Sequence, residues 1–376
     1  MHRLLTRLIV VSLSIFSLTG TSAVADHMPN KMMRNFLAWS QLGDTGVLGP
    51  FEVNFAKFGR YPDVQTTSAP NEAFSEFLVD KWNLASIVTK DGEIIHEYYS
   101  AIRSIDSNTP LLGWSMSKTA VAASVGKLIC EGAINSIDDP VGSYSSFLQE
   151  TAFGTVSIRN VLQMNSGVSS LGRANEKEFN RQARGMEGFE GKASIRNVLR
   201  IFDTASREQG ETMNYHSTDT MTLSLLVEEI SGMPLSQYFY DRIYTSFGQS
   251  NYMTWNSDNY GTTTGFSDLV MTGRDWANFG NYLMSQMDEN TCLGSFFKDG
   301  IENAVVTGNA NGAHYGYQSW VYNVNGQPSL VLQGHGGQFM VLDQENTTVL
   351  LMLSLNENYK NGNLFSSIHE FAERLN

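Results

Sequence analysis

A tight hairpin near one end of this chain and a run of short strands near the other limit the folds open to it. Leu84 to Thr89, Asp91-Gly92 and Glu93 to Tyr99 read as strand, turn, strand. Tyr317 to Val324 then runs through Asn325-Gly326 into Leu330 to Gln333, and Gln338 to Leu342 and Thr347 to Ser354 follow as further strands. Two-residue turns join antiparallel neighbours, so both ends predict antiparallel sheet. Between them the apolar spacing becomes helical: from Ser115, over Ser157 to Met164, Thr220 to Ile230 and Arg274 to Met287, with one more helix at Ser366 to Leu375. If the first hairpin and the late strands share a sheet, the middle is an inserted helical lobe with flanking helices. The expected class is α+β, with sheet over about 80–112 and 310–376 and the lobe over about 113–309. The junction of the two is a natural cleft.

Local signals support these elements. Val121, Val125, Leu128 and Ile129 form a stripe that Gly132 ends, and Leu223, Leu226, Val227 and Ile230 form another before Gly232 and Pro234. Thr272-Gly273-Arg274-Asp275 is a capping-box start. Leu171 to Lys192, rich in Gly, Arg and Glu, has two readings: a lid over the cleft or a solvated excursion. The chain reads as free of repeats and low-complexity linkers.

Residues 1–25 read as a secretory signal, with Arg3 and Arg7 before the apolar stretch Leu8 to Leu18 and an A-x-A site at Ala23-Val24-Ala25. Residues 26–376 are then one exported, periplasmic or secreted domain, with no stable membrane insertion after cleavage. Hydrophobic content of 41% supports a sizeable core. The net charge of −13, more negative still without Arg3 and Arg7, argues against nucleic acid as a partner. The two cysteines, Cys130 and Cys292, leave a bridge and a buried free thiol both open. No H-E-x-x-H or cysteine–histidine cluster is present, so neither metal nor cofactor is expected.

The chemistry-bearing signal is Ser115-Met116-Ser117-Lys118, at the head of an apolar helix. Serine and lysine three apart share a helix face. In a first turn the serine meets free N–H groups and the positive helix end, and a desolvated lysine amine can accept its proton. The same spacing recurs at Ser124/Lys127 and Ser295/Lys298. Ser124 falls inside the helix, where its hydroxyl is expected to bond a backbone carbonyl, and Ser295 reads as part of a short element entering a turn. Gly113 to Ser117 also nearly matches the G-x-S-x-G elbow of an α/β-hydrolase, but ends in serine and lacks preceding βα units.

Two further pieces complete a site. Gln209 to Thr220 is a polar loop running into a helix, and its Tyr215 suits proton exchange with a leaving group. Gly334-His335-Gly336-Gly337-Gln338 precedes a strand. Its glycines permit close backbone approach, and the N–H of Gln338 with that of Ser115 suits an oxyanion hole. Tyr315, Tyr317 and Trp320 have two readings each, as pocket walls or as core aromatics.

In order and spacing these pieces resemble the penicillin-recognising serine hydrolases, in the branch of class C β-lactamases, esterases and 6-aminohexanoate-dimer hydrolases. The family's S-x-x-K falls on Ser115 to Lys118, its Y-x-N on Tyr215-His216-Ser217, and its K-T-G on His335-Gly336-Gly337. Ile158 to Gly167, Glu211 to Thr220 and Thr272 to Gly280 are similar too, and the likeness spans about residues 80–375. The resemblance implies a β-lactamase-like fold and a Ser115 acyl-enzyme, with Lys118 and Tyr215 moving protons. It also implies substrate contacts from Ser217, His335, Gly336 and Gly337, and a small ester or amide as substrate. Ser217 stands in place of asparagine and His335 in place of lysine, which points to the esterase and amidase branch. Other readings are a β-lactamase or D-amino-acid peptidase of this fold, and a non-catalytic binding relative.

Overall fold

The computed structural model describes residues 82–101, 104–168, 194–250, 252–309 and 312–356, strand backbone at 47–48, 51–52 and 54–59, and single positions at 70–72, 74, 78, 179 and 183. The signal read at 1–25, nearly all of 171–192 and the helix read at 366–375 lie outside the described residues.

The strands are β1 (Val47–Leu48), β2 (Phe51–Glu52), β3 (Asn54–Gly59), β4 (Asn83–Lys90), β5 (Glu93–Tyr99), β6 (Pro110–Leu112) and β7 (Tyr252–Ser257). They continue with β8 (Leu269–Thr272), β9 (Val305–Val306), β10 (His314–Tyr315), β11 (Trp320–Val324), β12 (Gln327–Gly334), β13 (Gln338–Asp343) and β14 (Thr348–Ser354). Eight form one antiparallel sheet in the order β5-β4-β14-β13-β12-β11-β10-β9. The early hairpin joins the late strands through the pairing of β4 with β14, where Lys90 faces Thr348 and Ala85 faces Leu353. The early hairpin and the late strands thus share one sheet, as expected. The parallel units of an α/β-hydrolase do not occur among the described residues. β11 begins at Trp320 rather than Tyr317, because Gly316 to Ser319 form a turn closed by the Gly316 N–H on the Ser319 carbonyl, 2.8 Å.

The period-two pattern of β13 sorts its side chains. Phe339 and Val341 join Phe74, Leu78 and Val88 on one face, while Met340 and Leu342 join the main core on the other. Against that second face lies the helix over Gly273–Asp288. Its start is the capping signal read above: Thr272 Oγ1 accepts the Asp275 N–H at 3.2 Å.

The helices are α1 (Ser117–Cys130), α2 (Ser146–Gln149), α3 (Ile158–Leu162), α4 (Ile195–Leu199), α5 (Ser217–Ser231), α6 (Leu235–Arg242), α7 (Gly273–Asp288) and α8 (Cys292–Glu302). A second antiparallel sheet, β3-β7-β8-β6, runs among them. Ser295 lies inside α8 rather than in a short element entering a turn. One short repeat was not expected. Ser-Ile-Arg-Asn-Val-Leu occurs at 157–162 and again at 194–199, and each copy folds as a serine-capped single helix. Cys130 and Cys292 form a disulfide that ties the end of α1 to the start of α8, so Cys130 is not a free thiol.

Candidate active site

The site is built where the second sheet hands the chain to α1. Gly113 follows β6 and donates its N–H to the Leu269 carbonyl, 3.1 Å. A Cβ there would sit 2.2 Å from the Trp276 ring, so only glycine lets the chain pass. Trp114 then adopts a φ of 49°, a left-handed value uncommon for a bulky residue. Trp114–Met116 form one 3₁₀ turn. Ser117 braces it: its hydroxyl donates to the Trp114 carbonyl at 2.6 Å and accepts the Leu269 N–H at 3.1 Å. Ser115 therefore stands in the 3₁₀ turn just ahead of α1, not within the first α-helical turn.

Lys118 is only 2% exposed. Its Nζ donates to Ser115 Oγ at 3.0 Å and to the Phe266 carbonyl at 2.7 Å, and lies 5.1 Å from the centre of the Tyr215 ring. The i, i+3 spacing thus brings the Ser115 hydroxyl and the Lys118 amine into contact. By contrast, Ser124 Oγ donates to the Ala120 carbonyl, 2.9 Å, as expected of a mid-helix serine.

Tyr215 immediately precedes the His216 cap of α5. Trp320 stacks on its ring at 5.4 Å, and Tyr315 meets it edge-on at 5.7 Å. Ser217 is the buried first residue of α5. The β12–β13 turn arrives from the large sheet, with Gly336 and Gly337 at φ 85° and 87°. A Cβ on Gly334 would lie 2.3 Å from the Gly113 carbonyl, so the strand and the turn that carries Ser115 touch backbone to backbone. Gln338 Nε2 donates to the His335 and Ser354 carbonyls, and its Oε1 accepts the Ser354 N–H, each at 2.7 Å. The side chain is thereby committed to holding the turn. His335 is exposed and packs edge-on to Trp114, 5.4 Å between rings.

With this geometry stands a sequence-level match: a family model described as Beta-lactamase fits residues 80–365. The chain belongs to the beta-lactamase family. Members of this family are serine hydrolases, and the chain is read as one. Among curated proteins none matches it. Solved structures share the fold at low identity. A protein described as a 6-aminohexanoate-dimer hydrolase from Bacillus anthracis superposes with TM-score 0.73 at 20% identity, over 90% of this chain and 94% of that one. A family VIII carboxylesterase gives 0.61 at 14% identity, over 83% and 99%. A penicillin-binding protein from Bacillus halodurans gives 0.61 at 14% identity, over 79% and 98%.

In this beta-lactamase-family chain, Ser115, Lys118 and Tyr215 come together, and the strand carrying Gln338 reaches the turn that carries Ser115. Tyr315 and Trp320 wall the site through Tyr215. Tyr317 does not: its hydroxyl joins Asp299 and Arg159. Sequence reasoning missed the Phe266 carbonyl, since a backbone oxygen 148 residues from Lys118 leaves no residue-type signal. It also missed a buried group behind Tyr215. There Asp219 Oδ1 accepts from Ser166 Oγ at 2.7 Å and lies 3.4 Å from His216 Nε2, and His216 Nδ1 meets Thr218 Oγ1. Burial, with positive Lys118 and Arg207 nearby, pushes His216 down to about 3. Burial also holds the Asp219 carboxyl well above the carboxylate range, against the Ser166 hydrogen bonds. Ser166 also lines a groove of about 480 Å³ with Ser206, Arg207 and Gln209, which Ser115, Lys118 and Tyr215 do not line.

Proposed function

We propose that the protein is an exported serine hydrolase that cleaves an ester or amide bond through a Ser115 acyl-enzyme. The observation that carries this is the buried Lys118 amine, 3.0 Å from the hydroxyl of half-buried Ser115 and anchored by the Phe266 carbonyl. The deprotonated form of Lys118, in exchange with the positive form that faces His216, takes the Ser115 proton as Oγ attacks the substrate carbonyl. The Ser115 and Gln338 N–H groups hold the tetrahedral oxyanion. Tyr215, beside Lys118, gives a proton to the leaving oxygen or nitrogen, and later takes one from the water that releases the acyl group. Ser217 and the His335-Gly336-Gly337 turn line the substrate.

The fold neighbours support both bond types. One is described as a 6-aminohexanoate-dimer hydrolase and another as a carboxylesterase. Export is supported by the N-terminal segment and by the disulfide, a bond that persists in oxidising compartments.

The test is intact-mass analysis after exposure to a fluorophosphonate, with the adduct mapped by digestion. A single adduct on Ser115 is expected. Ser115→Ala and Lys118→Ala are each expected to lower ester turnover by about three orders of magnitude or more. Full activity in either variant would contradict the reading, and an adduct on another serine would move the site.

A further inference from the structure

The turn between β10 and β11 joins the two rings that hold Tyr215: Tyr315 ends β10 and Trp320 begins β11. In that turn stands Gln318, 2% exposed and at a φ of 53°. A left-handed position in a hairpin turn is cheapest for glycine or asparagine, so this glutamine is kept against a backbone cost. Its polar atoms show what offsets that cost. Nε2 donates to the carbonyls of Val161 and Leu162, 3.1 Å each, and the backbone N–H donates to Leu162 at 2.9 Å. Oε1 accepts from Thr220 Oγ1 at 2.7 Å, and the Gln318 carbonyl accepts from Thr119 Oγ1 at 3.4 Å. Thr119 Oγ1 also pairs with Ser319 Oγ, 2.9 Å. The two carbonyls on one side and the Thr220 hydroxyl on the other settle which way the amide points.

These partners sit on three helices. Thr119 follows Lys118 on α1, Thr220 lies in the first turns of α5, just after Tyr215 and Ser217, and Val161 and Leu162 close α3. The buried amide therefore ties the ring clamp of Tyr215 to α3 and to α5, the helix that Tyr215 leads into, while the turn's own backbone carbonyl and the Ser319 hydroxyl tie it to α1. Lys118 and Ser115 have their own mutual bond and the Phe266 carbonyl, so the Ser115–Lys118 pair does not depend on Gln318.

From this we infer that Gln318 is a positioning residue for proton delivery by Tyr215, and that it sets how poor a leaving group the enzyme can expel. The inference rests on the acyl-enzyme reading above. In acylation the Ser115 oxygen forms a bond to the acyl carbon, and the bond to the leaving oxygen or nitrogen breaks. An alkoxide or amide anion must gain a proton to leave. A nitrophenolate leaves without one. Displacing Tyr215 while Ser115 and Lys118 stay in place thus penalises only the first kind of substrate.

The experiment compares kcat/KM for 4-nitrophenyl butyrate and methyl butyrate, which share an acyl group, in the parent protein, Gln318→Met and Thr220→Val. Fluorophosphonate labelling of Ser115 is followed in each, because fluoride needs no proton to depart. In Gln318→Met, similar in volume but unable to bond, the methyl ester is expected to lose about tenfold or more. The nitrophenyl ester and the labelling rate are expected to stay within about threefold. Thr220→Val, which removes one bond, gives a smaller shift in the same direction and keeps the test alive if Gln318→Met does not fold. Equal loss on both esters with slowed labelling, or an unchanged ratio in a folded variant, overturns the inference alone. A parent protein unlabelled at Ser115 overturns the acyl-enzyme reading and this inference with it.

Discussion

Asp219 and His216 are driven by the same burial in opposite directions on the pH scale and toward the same charge, zero. A depressed histidine binds its proton more readily in the unfolded chain. Its contribution to stability is therefore present above about 6.5 and is lost as pH falls from there toward about 3. A raised carboxyl behaves in reverse: its contribution is present below the ordinary carboxylate range and is lost as pH rises through its folded value. Asp219→Asn, which keeps an acceptor for Ser166, is expected to flatten the decline in Tm on the alkaline side. His216→Gln is expected to flatten it below pH 6.5. Thermal melts from pH 4 to 9 check both, and parallel curves for variant and parent would refute them. The sequence held little trace of this pair. An acid in the first turn of a helix normally faces solvent and the helix dipole, and only the contact with Ser166, 53 residues away, turns it inward.

The turn that carries Ser115 and the hairpin that carries Gln338 meet through backbone atoms, Gly334 against the Gly113 carbonyl. Gly334→Ala is expected to push β12 off the nucleophile turn, lowering Tm by the equivalent of about 1–3 kcal/mol. Ser115 labelling is expected to slow by roughly tenfold to a hundredfold. Gly326→Ala is the control for backbone strain alone: its φ of 85° makes alanine costly, but nothing lies within 4 Å of its Cβ, so Tm should fall while labelling at about 25 °C stays unchanged. Labelling in Gly334→Ala at the parent rate would refute the contact's importance. At this scale much was legible. The strands with period-two patterning and turn residues, β4, β5, β13 and β14, came within a residue of their observed ends, as did the capped start of α7. What escaped were features set by tertiary contact: the 3₁₀ turn and left-handed Trp114 before α1, the turn that delays β11, and the second sheet whose strands β3, β6, β7 and β8 come from distant segments.

The whole molecule is closed by two long-range links. The Cys130–Cys292 bridge spans 162 residues, and in the chain-entropy view a loop of that size contributes up to about 5 kcal/mol. Cys130→Ser with Cys292→Ser is expected to lower Tm by roughly 5–10 °C. Ser115 labelling at 25 °C should be unchanged, because the bridge sits at the opposite end of α1, about 20 Å along the helix. A Tm shift under 1 °C would contradict the entropic account. The second link, β4 against β14, has a consequence for manufacture. β14, which pairs with β4 on the side away from β5, is the last of the described strands to be made, so the early hairpin waits with an apolar edge open until residue 354 has emerged. Sheet closure is then an event that waits for the synthesis of β14. A translation product halted in α8 would carry every side chain of the Ser115–Lys118–Tyr215 group and still have nothing to shield that edge from a neighbouring copy.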